Sequence, residues 1–134
     1  MQVVHVPASV PWPGAFLHSI NSMYHNQLIW LFIIIVVMDI ISGFAKGLIT
    51  RKIDSSIGLA GITKHFVIIG TTLVLYPLLD ATKFSPVGDT WVVFYITFYL
   101  ISLVENWGQM GLPLPPMVKD YVKKLADDQK KELK

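Results

Sequence analysis

"VVMDIISGFAKGLIT", residues 36–50, closes one of the most apolar runs of the chain, directly after "LIWLFIII" at 28–35. Asp39 interrupts that run and is followed by Ser42, Gly43, Lys46 and Gly47. A carboxylate inside a membrane span costs about 2.5–3.5 kcal/mol or more unless it faces a partner or water. Either the stretch is not a membrane span, or the aspartate has a task.

Composition decides between these. The chain has 134 residues, is 53% hydrophobic and only 15% charged, and has a mean hydropathy of +0.55. A soluble domain of this length needs more charged surface than that. The apolar residues are gathered in three blocks, Leu28 to Phe44, Ile62 to Leu79 and Trp91 to Val104. Each approaches the ~20 residues that carry a helix across hydrocarbon. Three helices of a soluble bundle would show charged outer faces, and these blocks have none. The expected fold is an all-α membrane protein with spans at about 28–45, 62–79 and 90–107, together forming a membrane domain over 28–108.

Charge placement gives the orientation. Residues 1–27 contain no Lys or Arg. Lys46, Arg51, Lys52 and Lys64 flank the first connection, Lys83 stands alone in the second, and Lys119, Lys123, Lys124, Lys130, Lys131 and Lys134 follow the third block. Three spans place ten of the eleven basic residues on one side, which the positive-inside rule makes cytoplasmic. The N-terminus is therefore expected outside and the C-terminus on the cytoplasmic side.

The flanks carry their own patterns. After Pro13-Gly14, the apolar Phe16, Leu17, Ile20, Met23 and Tyr24 recur at helical spacing opposite His18, Asn21, Ser22 and His25. Segment 1–27 is thus expected to hold an interfacial amphipathic helix on the outer leaflet. It is no secretory signal, having no basic n-region and several prolines. Asp54, Ser55 and Ser56 read as the N-cap of the second span. Segment 109–134 begins with the helix-breaking "GLPLPP" (111–116) and continues as a charged cytoplasmic helix with Val118, Tyr121, Val122 and Leu125 on one face. Its four acids offset most of its six lysines, which favours a solvated tail over a helix held at anionic headgroups.

The opening aspartate belongs to a stripe. Asp39, Ser42, Gly43, Lys46 and Gly47 share one helix face, and Thr50 continues it. Gly43 and Gly47 also form a GxxxG pair that allows close backbone approach. The third span repeats the pattern with Tyr95, Tyr99, Ser102 and Asn106, and Glu105 stands beside them. Two arrangements satisfy such stripes. They can pair inside one three-helix unit, or they can meet across subunits and line a watery path, because three short helices enclose no lumen.

Other chemistry is missing. There is no Cys, so neither a disulfide nor a thiolate site is available. His5, His18, His25 and His65 lack metal-ligand spacing, and "IGLAGITK" (57–64) lacks the phosphate-loop pattern. No cofactor, metal, nucleic acid partner or enzymatic activity is expected.

Several segments together resemble the toxin-secretion and phage-lysis holins. They are "MDIISGFAKGLITRKIDSS" (38–56), "GITKH" (61–65), a second span ending in "LLD" (78–80), and "LVENWGQMGLPLPP" (103–116). The resemblance covers about residues 36–125. His65 stands where a second Lys is usual, and the extended N-terminal segment lies outside the family core. The resemblance implies a small phage protein that accumulates in the inner membrane, self-associates into large homo-oligomers and opens lesions in the lipid. A peptidoglycan hydrolase would be its functional partner without required direct contact. The Asp39 and Glu105 faces would then supply oligomer contacts or the pore lining. The competing readings are an ion channel or proton-coupled transporter subunit using Asp39 and Glu105, and a non-conducting scaffold acting through the C-terminal helix.

Overall fold

A computed structural model describes residues 12–132. It contains five helices: α1 (Trp12–Tyr24), α2 (Gln27–Thr50), α3 (Ser55–Ala81), α4 (Ser85–Gln109) and α5 (Pro116–Glu132). No strand occurs among the described residues. Three helices, α2, the Gly58–Ala81 part of α3, and α4, are long and apolar enough to cross a membrane. The chain is an all-α, multi-pass membrane protein.

Each spanning helix outruns its apolar block. Helix α2 continues through Lys46 and Gly47 to Thr50, α3 begins at Ser55 rather than near Ile62, and α4 begins at Ser85 with Pro86 in its first turn. Hydropathy reports where hydrocarbon begins and ends, whereas the helix persists until its backbone groups find other partners. For α2 those partners are local. Asn26 caps its start by accepting the Leu28 N–H at 2.9 Å. At its end Arg51 takes the left-handed conformation, and the Lys52 N–H returns to the Gly47 carbonyl at 3.1 Å. Asp54 occupies the residue before α3, and its carbonyl accepts the Gly58 N–H at 2.9 Å.

The core lies mainly between α2 and α4. Ile29, Phe32, Ile35 and Val36 on α2 meet Val92, Ile96 and Tyr99 on α4, with Tyr76 of α3 completing the cluster. Phe32 contacts Tyr99, and farther along Asp39 contacts Asn106, so α2 and α4 run parallel. Asn106 is in the last turn of α4, but Asp39 lies three turns before the end of α2. The two helices are therefore offset, and α2 overhangs α4 at the Arg51 end.

Helix α3 returns antiparallel beside them and leans on α4. Trp91 Nε1 donates to Thr72 Oγ at 3.0 Å, and Gly88 lies so close to the Tyr76 ring that an added Cβ would sit 3.2 Å from it. Only 6% of its spanning window is buried, against 28% for α2 and for α4. Phe66, Val67 and Val74 of α3, like Ile34, Ile41 and Phe44 of α2, face outward. In a bilayer these surfaces are matched by acyl chains and need no protein cover.

Helix α1 forms where the periodicity places it, but it packs against α3. Ser19 is fully buried, and His18, placed on the polar face by the sequence, turns its Nδ1 inward without a partner. Leu17, Ile20 and Tyr24 face away from the protein, while Met23 packs on the core. The sequence could give the apolar face of α1 but not which face α3 would take. The residues preceding Trp12 and the side chains of Val122 and Leu125 lie outside the described ones.

Candidate functional site

The packing faces of α2 and α4 change character along their length. Toward Asn26 they are aliphatic and aromatic; past Val36 and Tyr99 the same faces become polar. On α2 the buried series Ile29, Phe32, Val36 runs on into Asp39 and Ser42. On α4 the series Val92, Ile96, Tyr99 runs on into Asn106. Helical periodicity forces this continuity, since each residue lies three, four or seven positions after the last.

Asp39 is at the centre, with 5% of its surface exposed. Its Oδ1 accepts from Asn106 Nδ2 at 3.3 Å. The same amide nitrogen donates to Ser42 Oγ at 3.1 Å, and Ser42 Oγ donates to the Asp39 carbonyl at 2.9 Å. Ser102, on the same face of α4, lies near the carboxylate. On the far side His65 Nε2 of α3 is 3.9 Å from Asp39 Oδ2. The imidazole is fixed from behind by Tyr99, whose hydroxyl is 3.0 Å from His65 Nδ1 and whose ring lies 5.4 Å from it. All three spanning helices thus converge on one carboxylate.

The stripe residues divide. Asp39, Ser42, Tyr99, Ser102 and Asn106 are brought together, and Gly43 faces Asn106, whose Nδ2 would lie 3.7 Å from an added Cβ. Tyr95 is one turn away, half-buried in a run of ring contacts with Trp91, Phe94, Phe98 and Tyr99. Lys46 is half-buried beyond ion-pair range of Asp39, and Gly47 packs on its own turn, against Ile53. Glu105 points outward with no partner among the described residues. Adjacent positions differ by ~100° around a helix, so Asn106 and Glu105 cannot share a face.

Sequence reasoning missed His65 as a member. A lone histidine near the start of an apolar helix carries no spacing signal, and only the fold sets it against Asp39. A second polar junction was also missed. Asn26 Nδ2 donates to the Tyr76 hydroxyl at 2.6 Å, and that hydroxyl donates to Asp89 Oδ1 at 2.7 Å. The junction ties the α1–α2 turn, α3 and α4 together at the other end. Asn26 did carry a signal, an N-cap residue placed just before an apolar run.

A sequence profile of the bacteriophage holin family matches residues 20–127, which takes in all three spans, the Asp39 cluster and most of α5. The chain belongs to the bacteriophage holin family. This holin-family chain is 31% identical over 134 aligned residues to an uncharacterised protein of Halalkalibacterium halodurans, covering 92% of this chain and 98% of that one. It is 33% identical to a 14.9 kDa protein of Clostridium perfringens named for its position in the nagH 3′ region, over 69% of this chain and 72% of the relative. An uncharacterised protein of Listeria monocytogenes is 26% identical over 72% of this chain and 70% of its own length. No solved structure matches.

Proposed function

We propose that the protein acts as a holin. It accumulates in the bacterial inner membrane with its N-terminus outside and its C-terminus in the cytoplasm. There it oligomerises and opens large, poorly selective lesions through which a cell-wall hydrolase reaches its substrate. The observation that carries this reading is the holin-family match, which runs through every spanning helix and the residues of the polar cluster.

The geometry suggests how such an opening works. A buried carboxylate in a membrane tends to face its own helices or water. In the closed chain Asp39 is held by Asn106 and His65. Interhelical hydrogen bonds in membranes average only about 0.6 kcal/mol each. A handful of them amounts to a few kcal/mol, small enough to be exchanged for contacts with other copies or for water. Asp39, Ser42, Gly43, Tyr99, Ser102 and Asn106 then become oligomer contacts or lumen lining, joined by Lys46, Gly47, Tyr95 and the outward Glu105. The thin packing of α3 makes it the helix most easily displaced in that exchange. Membrane potential acts on charges within the bilayer with about 2.3 kcal/mol per elementary charge per 100 mV, enough to bias the exchange.

The test is expression with and without a cytoplasmic peptidoglycan hydrolase. A holin arrests respiration by itself and lyses cells only when the hydrolase is present. Cells that stay energised with the hydrolase trapped inside would overturn the reading. Selective proton or cation flux without leakage of large solutes would replace it with a channel or transporter subunit using Asp39.

A further inference from the structure

We propose that α5 lies on the bilayer surface and docks Met117, Val118 and Tyr121 into a leaflet of anionic lipid. This goes beyond the holin reading and does not depend on it. Helix α5 packs against α4 alone among the described elements. Its first two turns nonetheless expose Met117 at 85%, Val118 at 40% and Tyr121 at 65%. Unlike the outward residues of α2–α4, these lie on a helix too polar to enter the hydrocarbon.

Three observations identify lipid as the occupant. The first is continuity. The link from Gln109 to Pro116 is folded back on the end of a spanning helix, with the Gly111 N–H on the Gly108 carbonyl at 3.0 Å and the Leu112 N–H on the Trp107 carbonyl at 3.3 Å. Leu114 also lies 3.9 Å from where a Gly108 Cβ would be. Helix α5 therefore starts where α4 leaves the membrane, and its first residues have no length of chain with which to move away.

The second is the uneven charge. Positions 116–125 hold Lys119, Lys123 and Lys124 against Asp120, while positions 126–134 hold three acids and three lysines. The tail's net charge of +2 is all in the half beside the membrane, and the half beyond it is balanced. The third is the combination of an aromatic and aliphatic patch with flanking lysines, which is the composition of a helix lying in the headgroup region. A second copy of α5 fits less well, because in-register pairing would bring the three lysines of each copy together.

The experiment uses the full chain in liposomes and exploits the absence of cysteine. Tyr121→Cys and, separately, Asp127→Cys are labelled with a fluorophore and mixed with lipids carrying a nitroxide near the headgroup. The proposal expects strong quenching at position 121 in phosphatidylglycerol vesicles, several-fold weaker quenching in phosphatidylcholine, and little at 127 in either. Each lysine at an anionic surface contributes about fivefold to retention. Adding Lys119→Glu, Lys123→Glu and Lys124→Glu to the Tyr121→Cys chain should therefore remove the difference between lipids, while carbonate-resistant insertion of the spans is kept. Equal quenching in both lipids, or none in either, overturns the proposal. So does self-quenching that grows with protein density regardless of lipid charge, which would assign the patch to a second copy.

Discussion

The chain ties its three spanning helices together at two polar junctions of very different quality. At one end, Asn26, Tyr76 and Asp89 are joined by bonds of 2.6 and 2.7 Å. Deeper in the bundle, Asp39 is held at 3.3 Å by Asn106 and at 3.9 Å by His65. Asp89 lies only one turn into α4, whereas Asp39 is about 17 Å from either end of α2. The stronger junction thus has its carboxylate near a helix end, where water can help to solvate it. The weaker one has its carboxylate buried among the three helices, level with the last turn of α4, where an unmatched charge is costly. On the proposed function, the first junction would act as a clasp and the second as the set of contacts exchanged on opening.

Sidedness is the largest effect to test. Single-cysteine labelling is clean because the chain has no cysteine. With the clasp end outside, Ser9→Cys should react with an impermeant reagent in intact cells and Asp128→Cys should not. The reverse pattern, or equal labelling, would turn the comparison over and put the clasp in the cytoplasm.

The exchange itself is tested at Asp39. Asp39→Asn keeps the shape but removes the charge, and should shift lysis timing strongly while membrane insertion is unchanged. Asp39→Leu should insert at least as well, yet fail to open or open at the wrong time. Normal timing for both variants would mean that the deep junction has no part in opening.

Stability separates the junctions next. Tyr76→Phe deletes a hydroxyl that makes both clasp bonds and should lower the stability of the detergent-solubilised protein by about 1–2 kcal/mol. Tyr99→Phe removes one 3.0 Å contact to His65 and should cost less, within about 1 kcal/mol. Denaturation midpoints in the opposite order would show the deep cluster to be the real clasp.

The smallest effects concern three glycines. A Cβ at Gly88 would meet the Tyr76 ring at 3.2 Å, while one at Gly43 would meet Asn106 Nδ2 at an ordinary 3.7 Å. Gly88→Ala should destabilise by about 1 kcal/mol, with crowding outweighing the helix-propensity gain. Gly43→Ala should be neutral or mildly stabilising for the closed chain. Gly43→Leu and Gly47→Leu, which block close approach of another helix, should weaken cross-linked ladders. Unchanged ladders would place the subunit contact on another face.

What the sequence determined by itself is local. Clustered apolar residues dictated three spanning helices, because length and hydropathy are properties of a single segment. The i, i+3, i+4 spacing put Asp39 with Ser42 and Gly43, and Tyr99 with Ser102 and Asn106, because a helix fixes which of its own residues share a face. It could not rank Glu105 against Asn106, since both are polar and adjacent and only the rotation of α4 against α2 turns one inward and the other outward.

Which faces meet was decided by tertiary packing alone. That packing brought His65 to Asp39 and Tyr76 to Asn26 and Asp89, and it turned the Ser19 side of α1 onto α3. Within lipid the outer surfaces of all three spans are equally apolar, so hydrophobicity does not distinguish a packing face from a lipid face. Close fit and a few polar contacts between helices make that choice. They exist only when the helices stand side by side.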